Sequence, residues 1–319
     1  MRLNQIPFLI LLFFVFNCKT EPKQEPKTES VETINQYITV LGTAQDAGYP
    51  QINCKKECCK AFYDGEVSKK LISCLGLVDK TTKQKWIFDA TPDMTQQIQD
   101  LKADHLDNGK VIDGVFLTHA HIGHYTGLMY LGFEAMGATN IPVYAMPKMK
   151  SYLELNGPWS QLVSMQNIQL KRMKHDSVMT LNSNLKVTPF LVPHRDEYSE
   201  TVGYKIEGKH KSALFIPDIN KWDLWKKSIV EEVKLVDYAF IDATFFNDGE
   251  IPRPMADIPH PFIIETVKLF ENESKETKAK IQFIHLNHTN PALMDTSVLK
   301  DSIEHLGFNF AKQSAVYDL

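Results

Sequence analysis

Three histidines within six residues, His119-Ala120-His121-Ile122-Gly123-His124, follow directly on the apolar run Val115-Phe116-Leu117. The apolar triplet reads as a buried strand, and an apolar helical pattern begins at Leu128, so the cluster occupies a tight strand-to-helix turn at the end of a sheet strand. Alternation aims the imidazoles of His119 and His121 at one point, and His124 stands at the mouth of the next helix. Neutral histidines crowded together are costly without a cation, and imidazole suits Zn2+, Fe and Mn. A solvated His-rich turn is the bland alternative; the spacing and the preceding strand favour metal ligands.

This turn resembles the H-x-H-x-D-H signature of the metallo-β-lactamase superfamily, which implies an α/β fold, an αββα sandwich with metals at one edge of two packed sheets. The resemblance carries over residue by residue. His119 and His121, with His194 just beyond the strand Leu185–Leu191, would hold a first metal. His124, Asp218 at the tip of the strand Ala213–Pro217, and His285 after Ile281-Gln282-Phe283-Ile284 would hold a second, Asp218 bridging the two. A carboxylate between two cations is fully ionised and able to bind both. One position departs from the signature: Gly123 stands where the family has Asp. The second metal thereby loses a ligand, and is bound more weakly, gains another group or water, or is absent.

The chain of 319 residues, 43% of them hydrophobic, has ample material for a core and no visible internal linker or repeat. Its net charge of -4 gives no reason to expect nucleic acid or an anionic membrane surface as partner. Residues 1–18 read as a targeting segment: Arg2 supplies a positive start, and Pro7–Phe16 is apolar but too short to span a bilayer. Cys18 at its end resembles the lipidated cysteine of a bacterial lipoprotein, implying an exported, membrane-anchored protein. Residues 19–33, rich in Lys, Glu, Pro and Thr, read as a flexible tether, with the folded domain spanning 34–319.

Cys54, Cys58 and Cys59 lie close together after the first strand, Tyr37–Gly42, and Cys74 stands apart in the next strand. In an exported protein they are a disulfide arrangement or free thiols, or, with a histidine, a structural zinc site. The stretch L-G-T-A-Q-D-A-G-Y-P-Q-I-N-C resembles the start of the coenzyme PQQ synthesis protein B family, as do F-D-A-T-P-D at 88–93 and D-A-T-F-F-N-D-G-E at 242–250. The similar phosphoribosyl cyclic phosphodiesterases bind a structural zinc through such a cysteine cluster and a late histidine. That likeness implies Cys54, Cys58, Cys59 and His288 as structural zinc ligands, with Cys74 a small buried hydrophobe. It also implies His260 as proton donor or phosphate contact, and Asp89 as a support of the metal loop. His105 reads as a surface residue, and Leu128–Met136 as a helix.

Together these readings imply catalysis centred on Asp218 and His260, with a metal-activated water attacking a phosphodiester or ester of a small-molecule substrate. Iron-dependent oxidation and non-hydrolytic binding of PQQ or a precursor are the alternatives, because one fold hosts many functions.

Overall fold

Apolar residues at successive positions of a strand need partners on both faces of the sheet, and the central strands of this chain are built that way. The computed structural model describes residues 34–319; the targeting segment, Cys18 and the tether lie outside the described residues. The described residues form fourteen strands, numbered in chain order. One sheet runs β14 (Val316–Asp318), β1 (Gln36–Gly42), β2 (Cys74–Asp79), β3 (Gln84–Phe88), β4 (Gly114–Phe116), β5 (Ile141–Ala145) and β6 (Ile168–Arg172). The other runs β13 (Asn309–Phe310), β12 (Ile281–Ile284), β11 (Tyr238–Asp242), β10 (Ser212–Ile216), β9 (Val202–Glu207), β8 (Lys186–Leu191) and β7 (Met179–Thr180).

Alternate residues of each strand enter different cores. Ile38 and Val40 of β1 meet Phe215 and Phe240 of the second sheet in a shared inner core. Their neighbours Tyr37 and Leu41 face outward, into the layer with Met94, Leu128 and Leu153. Leu214 and Ile216 face the opposite outer layer with Ile229, Val233 and Ile263. Helices therefore cover both outer faces, and the αββα sandwich expected from the sequence is the observed architecture. Aromatic rings fill the centre: Phe116 stacks on Tyr144 with centroids 4.3 Å apart, and Phe88 lies 6.1 Å from Phe215 across the sheets.

Strand direction places the functional loops. In the first sheet β1 and β3 are each antiparallel to β2, and β3 is parallel to β4. In the second, β8 and β10 are each antiparallel to β9, while β10, β11 and β12 are mutually parallel. The C-terminal ends of β1, β3 and β4 thus share one edge of their sheet, and those of β8, β10, β11 and β12 share one edge of theirs.

Two local expectations are corrected. The helix expected over Leu128–Met136 is a short α-turn at Ile122–Tyr125 followed by a 3-10 turn at Thr126–Leu131. Gly132 ends it in an extended conformation, and Gly137 reverses the chain at φ +59°. His105 is half-buried rather than a surface residue, its ring 5.6 Å from that of Tyr37 and its Nε2 3.1 Å from Thr39 Oγ1. Nearby in the same outer core, Trp159 packs on the Tyr125 ring at 4.9 Å.

Candidate metal centre

His119 leaves the end of β4, His194 the end of β8 and Asp218 the end of β10, and the three meet with His121 at the sheet edge. His119 Nε2 lies 2.8 Å from His121 Nδ1, and His194 Nε2 lies 3.3 Å from the same atom. Asp218 Oδ2 is 3.3 Å from His119 Nε2 and 3.2 Å from His194 Nε2. A tetrahedral ion with metal–nitrogen bonds of about 2.0–2.1 Å holds its donors about 3.3 Å apart. Burial holds His119 well below the usual histidine range, and His124 beside it adds to the effect; burial also lowers His121. These imidazoles therefore stay neutral with lone pairs available. Asp218 Oδ1 is buried with no hydrogen-bond partner, an acceptor that a cation would satisfy.

A second cluster joins His124, His285 and Asp218 to a residue absent from the expected set, Asp46. Asp46 Oδ1 lies 2.8 Å from His124 Nε2 and 3.1 Å from His285 Nε2. Burial opposes ionisation of Asp46, but the two histidines outweigh it and hold the carboxyl well below its usual range. Burial likewise opposes charge on His124, yet Asp46 and Asp89 carry it well above the usual value. Asp218 is shared: its Oδ2 lies 3.9 Å from His124 Nε2. Burial raises Asp218, and His194 and His260 more than offset that.

Each imidazole is oriented by a partner on its other nitrogen. Asp89 Oδ2 accepts from His124 Nδ1 at 2.7 Å, and Asp89 Oδ1 accepts from the Thr118 backbone N–H at 2.8 Å. Glu197 Oε2 is 3.2 Å from His121 Nε2, Asn220 Oδ1 3.2 Å from His194 Nδ1, and Thr244 Oγ1 3.0 Å from His285 Nδ1. Asp89 and His285, the strand-end residues that feed the second cluster, adopt the left-handed region at φ 70° and 66°. Non-glycine residues hold that conformation only where their surroundings over-determine it.

His260 comes from the loop after β11. Its Nδ1 lies 2.9 Å from Asp242 Oδ2 and 3.2 Å from Asp218 Oδ1. Burial works against its charge, but Asp242 and Asp218 prevail and push it up to about 9. Among the described residues its Nε2 has no hydrogen-bond partner, and the ring borders a cavity of 250 Å³ lined also by Gln45, Arg195, Arg253 and Asn287.

Some distance along the same loops sits a third cluster. Cys54 Sγ and Cys58 Sγ are 3.8 Å apart, and His288 Nδ1 lies 3.6 Å from Cys58 Sγ and 3.5 Å from Cys59 Sγ. A tetrahedral zinc with Zn–S of about 2.3 Å and Zn–N of about 2.0 Å has edges of about 3.8 and 3.5 Å. The thiols are free, so of the arrangements open to these cysteines the structure holds no disulfide among the described residues. Burial pushes Cys58 up to about 12 and raises Cys59; burial also works against Cys54, but the Lys56 backbone N–H and the neighbouring thiols lower it. A cation at this point would offset the burial that disfavours the thiolates of Cys58 and Cys59. Cys74 is fully buried in β2, outside this cluster, as a small hydrophobe.

All the donors expected from the sequence, His119, His121, His124, His194, Asp218 and His285, converge, as do Cys54, Cys58, Cys59 and His288. Asp46 is the donor that sequence reasoning does not reach. It lies in the turn-rich loop after β1, whose C-terminal end opens on the metal edge, and that placement is visible only once the order of the strands is known.

Two packed sheets flanked by helices, with histidine and carboxylate clusters at one edge, define a protein of the metallo-β-lactamase type. Residues 85–286, more than half of the chain, match the beta-lactamase superfamily domain, and the chain belongs to that family. Coenzyme PQQ synthesis protein B of Gluconobacter oxydans is 26% identical over 317 residues, an alignment spanning 88% of this chain and 98% of the relative. The crystal structure of Zn2+-bound PqqB from Methylobacterium extorquens superposes with a TM-score of 0.72 at 23% identity, covering 89% of this chain and all of that one. A diphosphatase from the PhnP family gives a TM-score of 0.59 at 20% identity, covering 89% and 97%. These likenesses in structure concern the fold.

Proposed function

We propose that the protein is an exported metal-dependent hydrolase of a small-molecule phosphodiester or ester. The sharing of Asp218 between the two histidine clusters carries this reading, because one carboxylate serving both is what a two-metal hydrolytic centre requires. Zn2+, or Fe or Mn, held by His119, His121 and His194 on one side and His124 and His285 on the other, would lower the pKa of a bound water and polarise the scissile bond. The chain's own residues supply the rest. Asp242 fixes the His260 ring through Nδ1, which leaves Nε2 facing the neighbouring cavity, placed to donate a proton to a leaving group. Asp89, Glu197, Asn220 and Thr244 hold the other imidazoles in one tautomer.

We assign zinc to the Cys54–Cys58–Cys59–His288 cluster on the strength of its tetrahedral edge lengths. Residues 1–18, with Cys18 as lipid attachment point, support export and membrane anchoring. A non-hydrolytic binder of PQQ or a precursor is the second reading, favoured by the similarity to PQQ synthesis protein B.

The test is hydrolysis of bis-p-nitrophenyl phosphate and p-nitrophenyl acetate by the metal-loaded protein and by the variant carrying His119→Ala and His121→Ala. Loss of several kcal/mol of transition-state stabilisation corresponds to a fall of at least ~10³-fold in kcat/KM. Turnover that survives the double substitution, or absent turnover alongside tight quinone binding, sinks the hydrolase reading.

A further inference from the structure

We propose that Asp46 is a ligand of the second metal, a carboxylate transplanted from the loop after β1 into the place that the family motif assigns to position 123. The inference rests on the two-metal reading of the centre and concerns which residue completes it.

Space around Gly123 shows the exchange. A Cβ on Gly123 would lie 2.4 Å from Asp46 Cα and 2.8 Å from both Asp46 Cβ and Cγ. The volume a side chain at 123 would fill is therefore occupied by Asp46 itself, backbone included. Glycine at 123 is what admits the loop, and the loop brings its own carboxylate.

The donor directions agree. His124 Nδ1 is engaged by Asp89 and His285 Nδ1 by Thr244, so the Nε2 atoms are the edges left for a ligand. Both Nε2 atoms converge on one oxygen, Asp46 Oδ1, at 2.8 and 3.1 Å. With Asp218, the set offers two imidazole nitrogens and two carboxylate oxygens within 4.8 Å of one another, a donor set suited to Zn2+, Mn2+ or Fe2+. A simple counter-ion role for Asp46 is the competing account, but His124 already has Asp89 as its carboxylate partner.

Backbone bonds hold the loop against the segment that carries His285. Gln45 donates its N–H to Leu286 O at 2.8 Å, and Leu286 donates to Thr43 O at 2.9 Å. Asp46 is thus placed by main-chain pairing next to the donor it joins, as the strand-end ligands are.

The experiment is equilibrium dialysis of the full-length, metal-depleted protein against Zn2+, with elemental analysis of the wild type, Asp46→Ala, His285→Ala and the Asp46→Ala/His285→Ala double variant. Three ions per wild-type chain, two in each single variant and still two in the double variant, is the expected result, because both residues serve one ion. Three ions retained in Asp46→Ala would overturn the assignment and leave the two-metal reading standing. A wild type that holds only the cysteine-bound ion, unchanged by His119→Ala, overturns the two-metal reading and the assignment with it. Asp46→Asn, which preserves size, guards against misfolding: its second ion should bind at least tenfold more weakly while the melting temperature of the chain stays near that of wild type. Gly123→Ala provides an independent arm, since pushing the Asp46 backbone away should remove the same ion; full retention there counts against the exchange.

Discussion

The cysteine cluster has four donors and the histidine centre seven, in two groups joined by Asp218; they share loops, yet they are built in opposite ways. Three of the four cysteine-site donors come from six consecutive residues, Cys54 to Cys59, two of them on the helix Glu57–Tyr63. The histidine centre draws on loops after β1, β4, β8, β10 and β12, with orienting groups from β3 and β11 as well. His285 and His288, three residues apart, tie the two together. A local, closed donor set stabilises the fold outright, whereas a set collected from many strand ends keeps room for substrate and depends on the fold for its geometry.

That contrast is sharpest in stability. Cys59→Ser should cost on the order of 3 kcal/mol, lowering Tm by roughly 5 °C in a thermal melt, and a chelator should bring the wild type down to the same value. A melt indistinguishable from wild type would mean that the cysteines are not a structural metal site. The histidine centre should respond in catalysis instead. His260→Gln is expected to lower kcat about 10²-fold toward an alkyl phosphodiester, and far less toward a p-nitrophenyl leaving group that needs no proton, with metal content unchanged. Equal losses on both substrates would remove His260 from the proton-donor role.

Smaller effects separate the orienting groups from the donors. Asp89→Asn leaves every donor in place but weakens the hold on His124; a loss of about 10–100-fold in affinity for the second ion is expected, with the cysteine-bound ion unaffected. If both ions weaken together, the two sites are coupled through the fold rather than separate. The smallest effect belongs to His105, which is in neither donor set and sets a baseline. Burial lowers its folded pKa below 6.5, so the native state takes up fewer protons there than the unfolded chain. Its contribution to stability is complete above pH 6.5 and is lost as pH falls through the folded pKa. His105→Gln should flatten Tm against pH over that range, and an unchanged slope would contradict it.

The same contrast separates the donors that are legible in the amino-acid sequence from the one that is not. Cys54, Cys58 and Cys59 announce themselves by spacing, and so do His119, His121 and His124, since chemistry confined to one turn leaves its mark in one stretch of chain. His194, Asp218 and His285 are legible through the superfamily resemblance, which sets ligands just past apolar strands; a strand-end aspartate alone reads as a turn or helix cap. Asp46 is not, because its partner His124 is 78 residues away and nothing local distinguishes a loop aspartate that caps a turn from one that reaches a neighbouring cluster. For the same reason Gly123→Asp, which looks from the motif like a repair, is expected to displace Asp46 instead.

Strands apolar at successive positions call for cover on both faces, while the αββα layering follows from the resemblance of the His119–His124 turn to the superfamily signature. His119, His121 and His124 follow from their spacing within one turn, which sets where the imidazoles point. The contents of the second cluster and the tautomer-fixing roles of Glu197, Asn220 and Thr244 arise only in the packed molecule. Those depend on which strand ends the sheet order brings to one edge, and on how closely the Asp46 backbone approaches a glycine with no Cβ to keep it out.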